Sequence, residues 1–236
     1  LSSTNNRVAW QINRTSQFSY YWTLQRKVNG HRLGGSFADS KASNNNNKYP
    51  TVHQLKWNSS RSSRLLLDAS TSIFQVDDRF TKQPDVQEGD IARFDQVTNT
   101  ATIALGTYSN NPMFRGVFLG SVSYFTTTHD IKAGYSMNYA KRTGNVNSTS
   151  GMRAVYRSGV PDLVNTYNTP VSSVTQDREQ GLYIQDRWRP SRKLTLNLGL
   201  RYESNYGWMP ETCQPKTDFI AAQCFAAIDG APDWKA

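Results

Sequence analysis

Residues 194–203 read LTLNLGLRYE, and apolar and polar positions alternate without a break. Leu194, Leu196, Leu198, Leu200 and Tyr202 fall on one side. Thr195, Asn197, Gly199, Arg201 and Glu203 fall on the other. Period-2 alternation predicts a β-strand with one greasy face and one wet face. Such a segment, at roughly 3.3 Å per residue and tilted near 45°, is about long enough to cross a bilayer.

The pattern recurs along the chain. Ile131, Ala133, Tyr135, Met137 and Tyr139 alternate with Lys132, Gly134, Ser136 and Asn138. Leu65, Leu67, Ala69, Thr71 and Ile73 alternate with Arg64, Asp68, Ser70 and Ser72, Leu66 being the exception. Phe18, Tyr20, Trp22 and Leu24 make a further greasy row, as do Val8, Trp10 and Ile12. Weaker cases span 51–57, 114–126 and 179–188. In the last, Asp186 shares a face with Leu182, Ile184 and Trp188. Lipid tolerates that charge only near its edge.

Connections between these segments alternate in length. The short ones are 14–16, 58–62, 127–129 and 189–193. The long ones, rich in Asn, Gly, Ser and Asp, are 28–50, 75–113, 141–173 and 204 onward. Short turns at one end and long loops at the other are what an outer-membrane barrel requires. Within the long loops, 91–94 and 102–105 flank Asn99-Thr100, and 154–157 precedes Pro161. Both are expected to form hairpins above the membrane rim. The fold class is therefore all-β: an antiparallel transmembrane β-barrel segment of about eight membrane strands, with long extracellular loops. Eight strands with both ends on the extracellular side would leave two unpaired edges in lipid. The expectation is a partial barrel domain over residues 1–236, a slice of a larger barrel.

Composition agrees. Mean hydropathy is −0.65 and the hydrophobic fraction 37%, too little for a large core. Aromatics reach 12%, too many for disorder. No run of eighteen apolar residues offers a transmembrane helix, but barrel strands give little hydropathy signal. The net charge of +9 is scattered, which argues against nucleic acid as a partner. Its densest group, Arg187, Arg189, Arg192 and Lys193, sits in a short turn beside Trp188, where a membrane interface serves as well as phosphate. Cys213 and Cys224 have no zinc-ligand neighbours, and a disulfide closing a small loop is expected. The chain begins at Leu1, so either a leader has been removed or the N-terminus lies upstream.

No catalytic constellation emerges. His31, His53 and His129 are far apart, and no phosphate loop or nucleophile elbow is present. Asp77-Asp78 and Glu88–Asp90 lack the spacing of a calcium loop and read as solvated charge. No metal or cofactor is expected. Trp10, Trp22, Trp57, Trp188 and Tyr202 lie near strand ends on the greasy face and suit an interface girdle. A sugar-stacking role is the alternative. Trp208 and Trp234 fall in the extracellular tail and are candidates for ligand or partner contact. On the wet face, Arg64, Asp68, Lys132, Gln185, Arg187, Arg201 and Glu203 would line a lumen and meet a plug or ligand.

The stretch GLYIQDRWRPSRKLTLNLGLRYE (181–203) resembles the strand-turn-strand of TonB-dependent outer-membrane transporter barrels. HQLKWNSSRSSRLLLDAS (53–70), YNTP (167–170) and CFAAIDGAPDWKA (224–236) resemble the Oar-like branch, which carries a carboxypeptidase-regulatory-like N-terminal domain. The resemblance implies a 22-stranded barrel, a separate N-terminal plug, and energised uptake of a ligand through the TonB complex. No plug, TonB box or closing C-terminal strand is visible in this sequence. The function expected is that of barrel wall and ligand-capturing loops in the bacterial outer membrane, not catalysis. Two competing readings are a secreted carbohydrate-binding β-sandwich and a non-transporting surface adhesin barrel.

Overall fold

A computed structural model of the chain describes residues 1–32 and 37–230, with Ala38, Trp234 and Lys235 as backbone alone. Eight long strands dominate: β1 (Ser2–Asn13), β2 (Ser16–Arg32), β3 (Thr51–Ser60), β4 (Leu65–Val76), β5 (Met113–Phe125), β6 (His129–Ser148), β7 (Val171–Ser191) and β8 (Leu194–Met209). Each pairs antiparallel with the next, so the strands run in sequence order across one sheet. Every alternating segment read from the sequence is one of these strands. All four short turns fall at one end of the sheet and the long connections at the other.

Register carries the alternation from strand to strand. Tyr202 lies opposite Leu182, and Leu182 opposite Tyr135. Further along, Gly120 lies opposite both Tyr135 and Ala69, and Ala69 opposite Trp57. Trp57 faces Phe18, which faces Trp10. Directly opposed residues share a face, so every greasy row lands on the same side. Leu66 pairs with Ser123 and falls on the wet side, which explains the break in its pattern.

Among the described residues, no second layer packs against the wall. Buried apolar residues among those described are Ala42, Val86, Ala92, Ala104 and Val155, all outside the eight strands. Val86, Ala92 and Ala104, with Ile103 beside them, form the small core of the loop region. On the greasy face Leu200 is 74% exposed, Leu198 56% and Leu194 49%. In a β-sandwich those side chains would fill a dry interior about 10 Å thick. That reading is excluded.

The wall reaches further than the alternation indicated. Strands Asn44–Lys48, Asp78–Thr81 and Thr107–Asn110 continue β3, β4 and β5 towards the loop end. They fill the gap between the upper parts of β2 and β6. The breaks come at Tyr49-Pro50, Asp77 and Asn111-Pro112. Proline cannot donate to the ladder, and the chain compensates with bonds across the break. Gln25 N donates to Pro50 O (3.0 Å), and Thr143 N to Pro112 O (3.0 Å). With Ile228–Asp229 and Trp234–Lys235 on the upper β8, the sheet counts thirteen strands.

Both expected hairpins form, over Ala92–Asp95 with Thr100–Thr102 and over Met152–Arg157 with Val160–Thr166. They also join, because Ala92–Asp95 runs parallel to Met152–Arg157. With Phe37–Ala38 they make a five-stranded sheet at the loop end. Asp95 fastens the joint. Its Oδ1 accepts from the N–H groups of Val97 (3.0 Å), Thr98 (3.1 Å) and Ser158 (3.2 Å), and its Oδ2 from Gly159 (2.6 Å).

Candidate functional site

The wet face holds the chemistry. Lys132 lies opposite Ser123 and Gln185, Asp68 opposite Ser121, Arg201 opposite Tyr183, and Glu203 opposite Gly181. Three clusters follow from the turn end upward. At the foot, Asp130 receives Arg187 and Arg189, the latter at 3.0 Å. In the middle, Lys56, Asp68, Lys132 and Tyr183 line a cavity of about 330 Å³, where Asn58 donates to Asp68. Higher up, Arg201 is paired with Glu203 and lies 6.0 Å from the Tyr183 ring centre. A neighbouring chain runs from Arg115 Nε to Asn138 Oδ1 (2.8 Å) and from Asn138 Nδ2 to Glu179 Oε2 (3.0 Å).

Glycines let the larger side chains lie flat on this wall. A Cβ on Gly134 would stand 2.5 Å from the Tyr183 ring. One on Gly181 would meet Ser136 Oγ at 2.9 Å and the Arg201 guanidinium at 3.1 Å. Tyr183 and Arg201 therefore cover backbone where any other residue would lift them.

Six of the seven lumen candidates share this face. Arg64 lies in the turn just before β4, where Phe125 N donates to its carbonyl (2.8 Å) and its own N donates to Ser62 Oγ (3.2 Å). Lys56, Arg115, Asp130, Glu179 and Tyr183 also stand on this face and are not among the lumen candidates; Asn138 does too, as its place among the polar positions of 131–139 predicts. Parity within their strands would have placed them, since each is an even number of residues from a recognised wet position or its register partner.

The greasy face resolves the awkward charge. Asp186 Oδ2 is 2.6 Å from His129 Nδ1, and the His129 ring stacks on Trp188 with centres 5.7 Å apart. The pair sits near the short turns. Trp10, Trp57 and Trp188 also lie near that end. Trp22 does not: it stands mid-strand opposite Asn6 and His53, because β2 runs well past Leu24. Tyr202 likewise stands mid-strand, opposite Leu182, because β8 runs on to Met209. Trp208 is not in the tail but inside β8, opposite Gln176. Trp234 pairs through its backbone with Asn205, and its side chain lies outside the described residues.

Cys213 and Cys224 are joined, each on one strand of the small hairpin Thr212–Gln214 with Gln223–Phe225. Among the described residues, Glu211, Cys213 and Cys224 are the one cluster of metal-ligand composition, and its two sulfurs are consumed by the disulfide.

The sequence matches the family model of the outer membrane beta barrel domain over residues 2–219. The structure is similar to the outer membrane transporter YddB from Escherichia coli, at TM-score 0.57 and 12% identity, covering 90% of this chain and 29% of that one. It is also similar to the siderophore receptor PiuA from Acinetobacter baumannii, at TM-score 0.50 and 10% identity, covering 99% of this chain and 38% of that one. The chain thus spans well under half the length of either. No curated protein matches the sequence. A single-layered antiparallel wall, greasy on one face and ion-paired on the other, is what spans a bacterial outer membrane, and this chain belongs to the outer membrane β-barrel domain family.

Proposed function

We propose that residues 1–236 are part of the barrel wall and extracellular loops of a TonB-dependent, Oar-like outer-membrane transporter. The short turns face the periplasm and the long loops face outside. The greasy face contacts lipid, with Trp10, Trp57 and Trp188 at its periplasmic margin. The wet face meets an N-terminal plug and a ligand. The reading is carried by one observation: Asp68, Lys132, Gln185, Arg187, Arg201 and Glu203 share the face opposite the lipid-facing rows. Tyr183 and Arg201, held flat over glycine, offer a smooth surface for a packed domain. The chain's part is to scaffold and capture, not to catalyse.

The test uses the full-length receptor. Ferric siderophores are the first probe, since PiuA is named a siderophore receptor; glycans and peptides follow. Growth on one of these should require both the receptor and an intact TonB complex. Arg201→Glu or Glu203→Lys should then reduce uptake and expose the plug to protease. Growth independent of TonB on every probe would favour an adhesin. Uptake and plug protection unchanged in both variants would remove the plug contact.

A further inference from the structure

The lipid-facing side ends, towards the loop end, in a group that no lumen role uses. Phe114, Tyr139, Trp208 and Tyr206 form a continuous aromatic strip across β5, β6 and β8, with neighbouring ring centres 5.4–6.1 Å apart. Tyr139 Oη donates to Gln176 Oε1 at 2.6 Å, which fixes the ring. Two exposed cations stand on the strip. Arg178 lies opposite Tyr139 and Tyr206, 6.0 Å from the Tyr206 ring centre. Lys141 lies opposite Gln176 and Phe114. The two are diagonal neighbours on one face, about 7–8 Å apart in register. Neither takes part in an ion pair among the described residues.

Height decides what they meet. Both stand about a dozen residues above the short turns, roughly 30 Å along the membrane normal at 3.3 Å per tilted residue. The apolar band of such a barrel is about 25 Å tall. The aromatic strip therefore lies at the outer interface, with the cations at headgroup level. An open cleft of about 530 Å³ adjoins Lys141, lined also by Tyr49, Thr51, Gln75, Phe114 and Thr143. Asp77 also lines it, but Arg79 Nε bonds its Oδ2 at 2.7 Å, so the rim stays cationic.

We infer that Lys141 and Arg178 bind the phosphate of a phosphorylated glycolipid of the outer leaflet, whose sugar lies against the aromatic strip and whose acyl chains run down the greasy face beneath it. Arginine presents a planar fork to phosphate and lysine a point charge, a complementary pair for one anionic headgroup. Aromatic faces beside them, Phe114 level with Lys141 and Tyr139 and Tyr206 level with Arg178, suit contact with the sugar at the boundary with hydrocarbon. The inference shares with the transport reading only the orientation of the wall. A receptor that transports nothing would still bind this lipid.

The experiment uses the full-length protein in detergent. Native mass spectrometry counts retained molecules of a bisphosphorylated, hexa-acylated glucosamine disaccharide and of its dephosphorylated form. The wild type should retain the phosphorylated lipid, and inorganic phosphate should not displace it. Lys141→Glu with Arg178→Glu should weaken retention by about tenfold or more, to the level of the dephosphorylated lipid. Lys141→Arg with Arg178→Lys should keep it. Lys27→Glu, at similar height on the wet face, should change nothing. A heat-dependent shift in gel mobility checks that each variant is folded. Equal retention of both lipids by the wild type would overturn the inference, as would undiminished retention by the folded double reversal.

Discussion

Four backbone N–H groups from two separate hairpins converge on the Asp95 carboxylate, in a loop region with very little apolar core. Those donors, Thr98 and Gly159 foremost, hold the carboxyl down to about 2. An unperturbed aspartate titrates near 4. The folded value is the lower one, so the stabilisation is complete above about 4 and is lost as pH falls towards about 2. Amide exchange at Ser158 and Gly159, corrected for intrinsic rates, should be slow at pH 7 and accelerate between pH 4 and 2. Asp95→Asn should exchange faster at pH 7 and show no such transition. Gly134 acts by lacking a side chain. Gly134→Ala should displace the Tyr183 ring and cost about 1–3 kcal/mol, measured by urea unfolding in bilayers. In a Tyr183→Ala background the same change should cost almost nothing, because the ring it strikes is gone.

A strand carries one face to lipid, and a single charge on that face needs a local answer. On β7 the answer is His129 from the neighbouring strand, 2.6 Å from Asp186 and covered by Trp188. His129→Ala should destabilise by about 1 kcal/mol, the cost expected of an unpaired charge near the interface. The loss should vanish when Asp186→Asn is already present, which a double-mutant cycle would read. Strands of this kind are legible in sequence because the alternation is imposed by two different solvents on two faces. The faces of Leu194 to Tyr202 can be read from parity alone. Those of Asn44–Lys48 cannot: NNNNK has no greasy face, since it lies above the band. Its order comes from polar contacts, with Asn46 fully buried and its amide donating to Asp78 Oδ1 at 2.7 Å. The same reason hides the upper ends of β6, β7 and β8 from the sequence pattern, and with them the place of Trp208 inside β8. The parallel joint between Ala92–Asp95 and Met152–Arg157 joins segments about sixty residues apart, beyond any local pattern. Within the wet face the individual positions were readable, but the groupings were not. Arg187 with Asp130, and Arg201 with Tyr183, are cross-strand pairs that depend on register.

Across the whole molecule, the apolar surface is turned outward and remains exposed on the isolated chain. Burial at about 25 cal/mol per Å² is the dominant favourable term in folding, and here most of it must be supplied by hydrocarbon. Stability should then depend on which face receives a charge. Ile184 stands near mid-band on β7, flanked on its face by Ala133 and Leu200. Gln185 is its immediate neighbour on the opposite face, flanked by Lys132 and Gly199. Ile184→Arg should cost about 2–4 kcal/mol, the penalty for arginine at the bilayer midplane. Gln185→Arg should cost well under half of that, because the wet face is already charged and solvated. Reversible folding of the full-length barrel into lipid vesicles, titrated with urea, measures both. Equal losses at the two positions would mean that the two faces meet the same solvent, and the wall would not be a membrane wall.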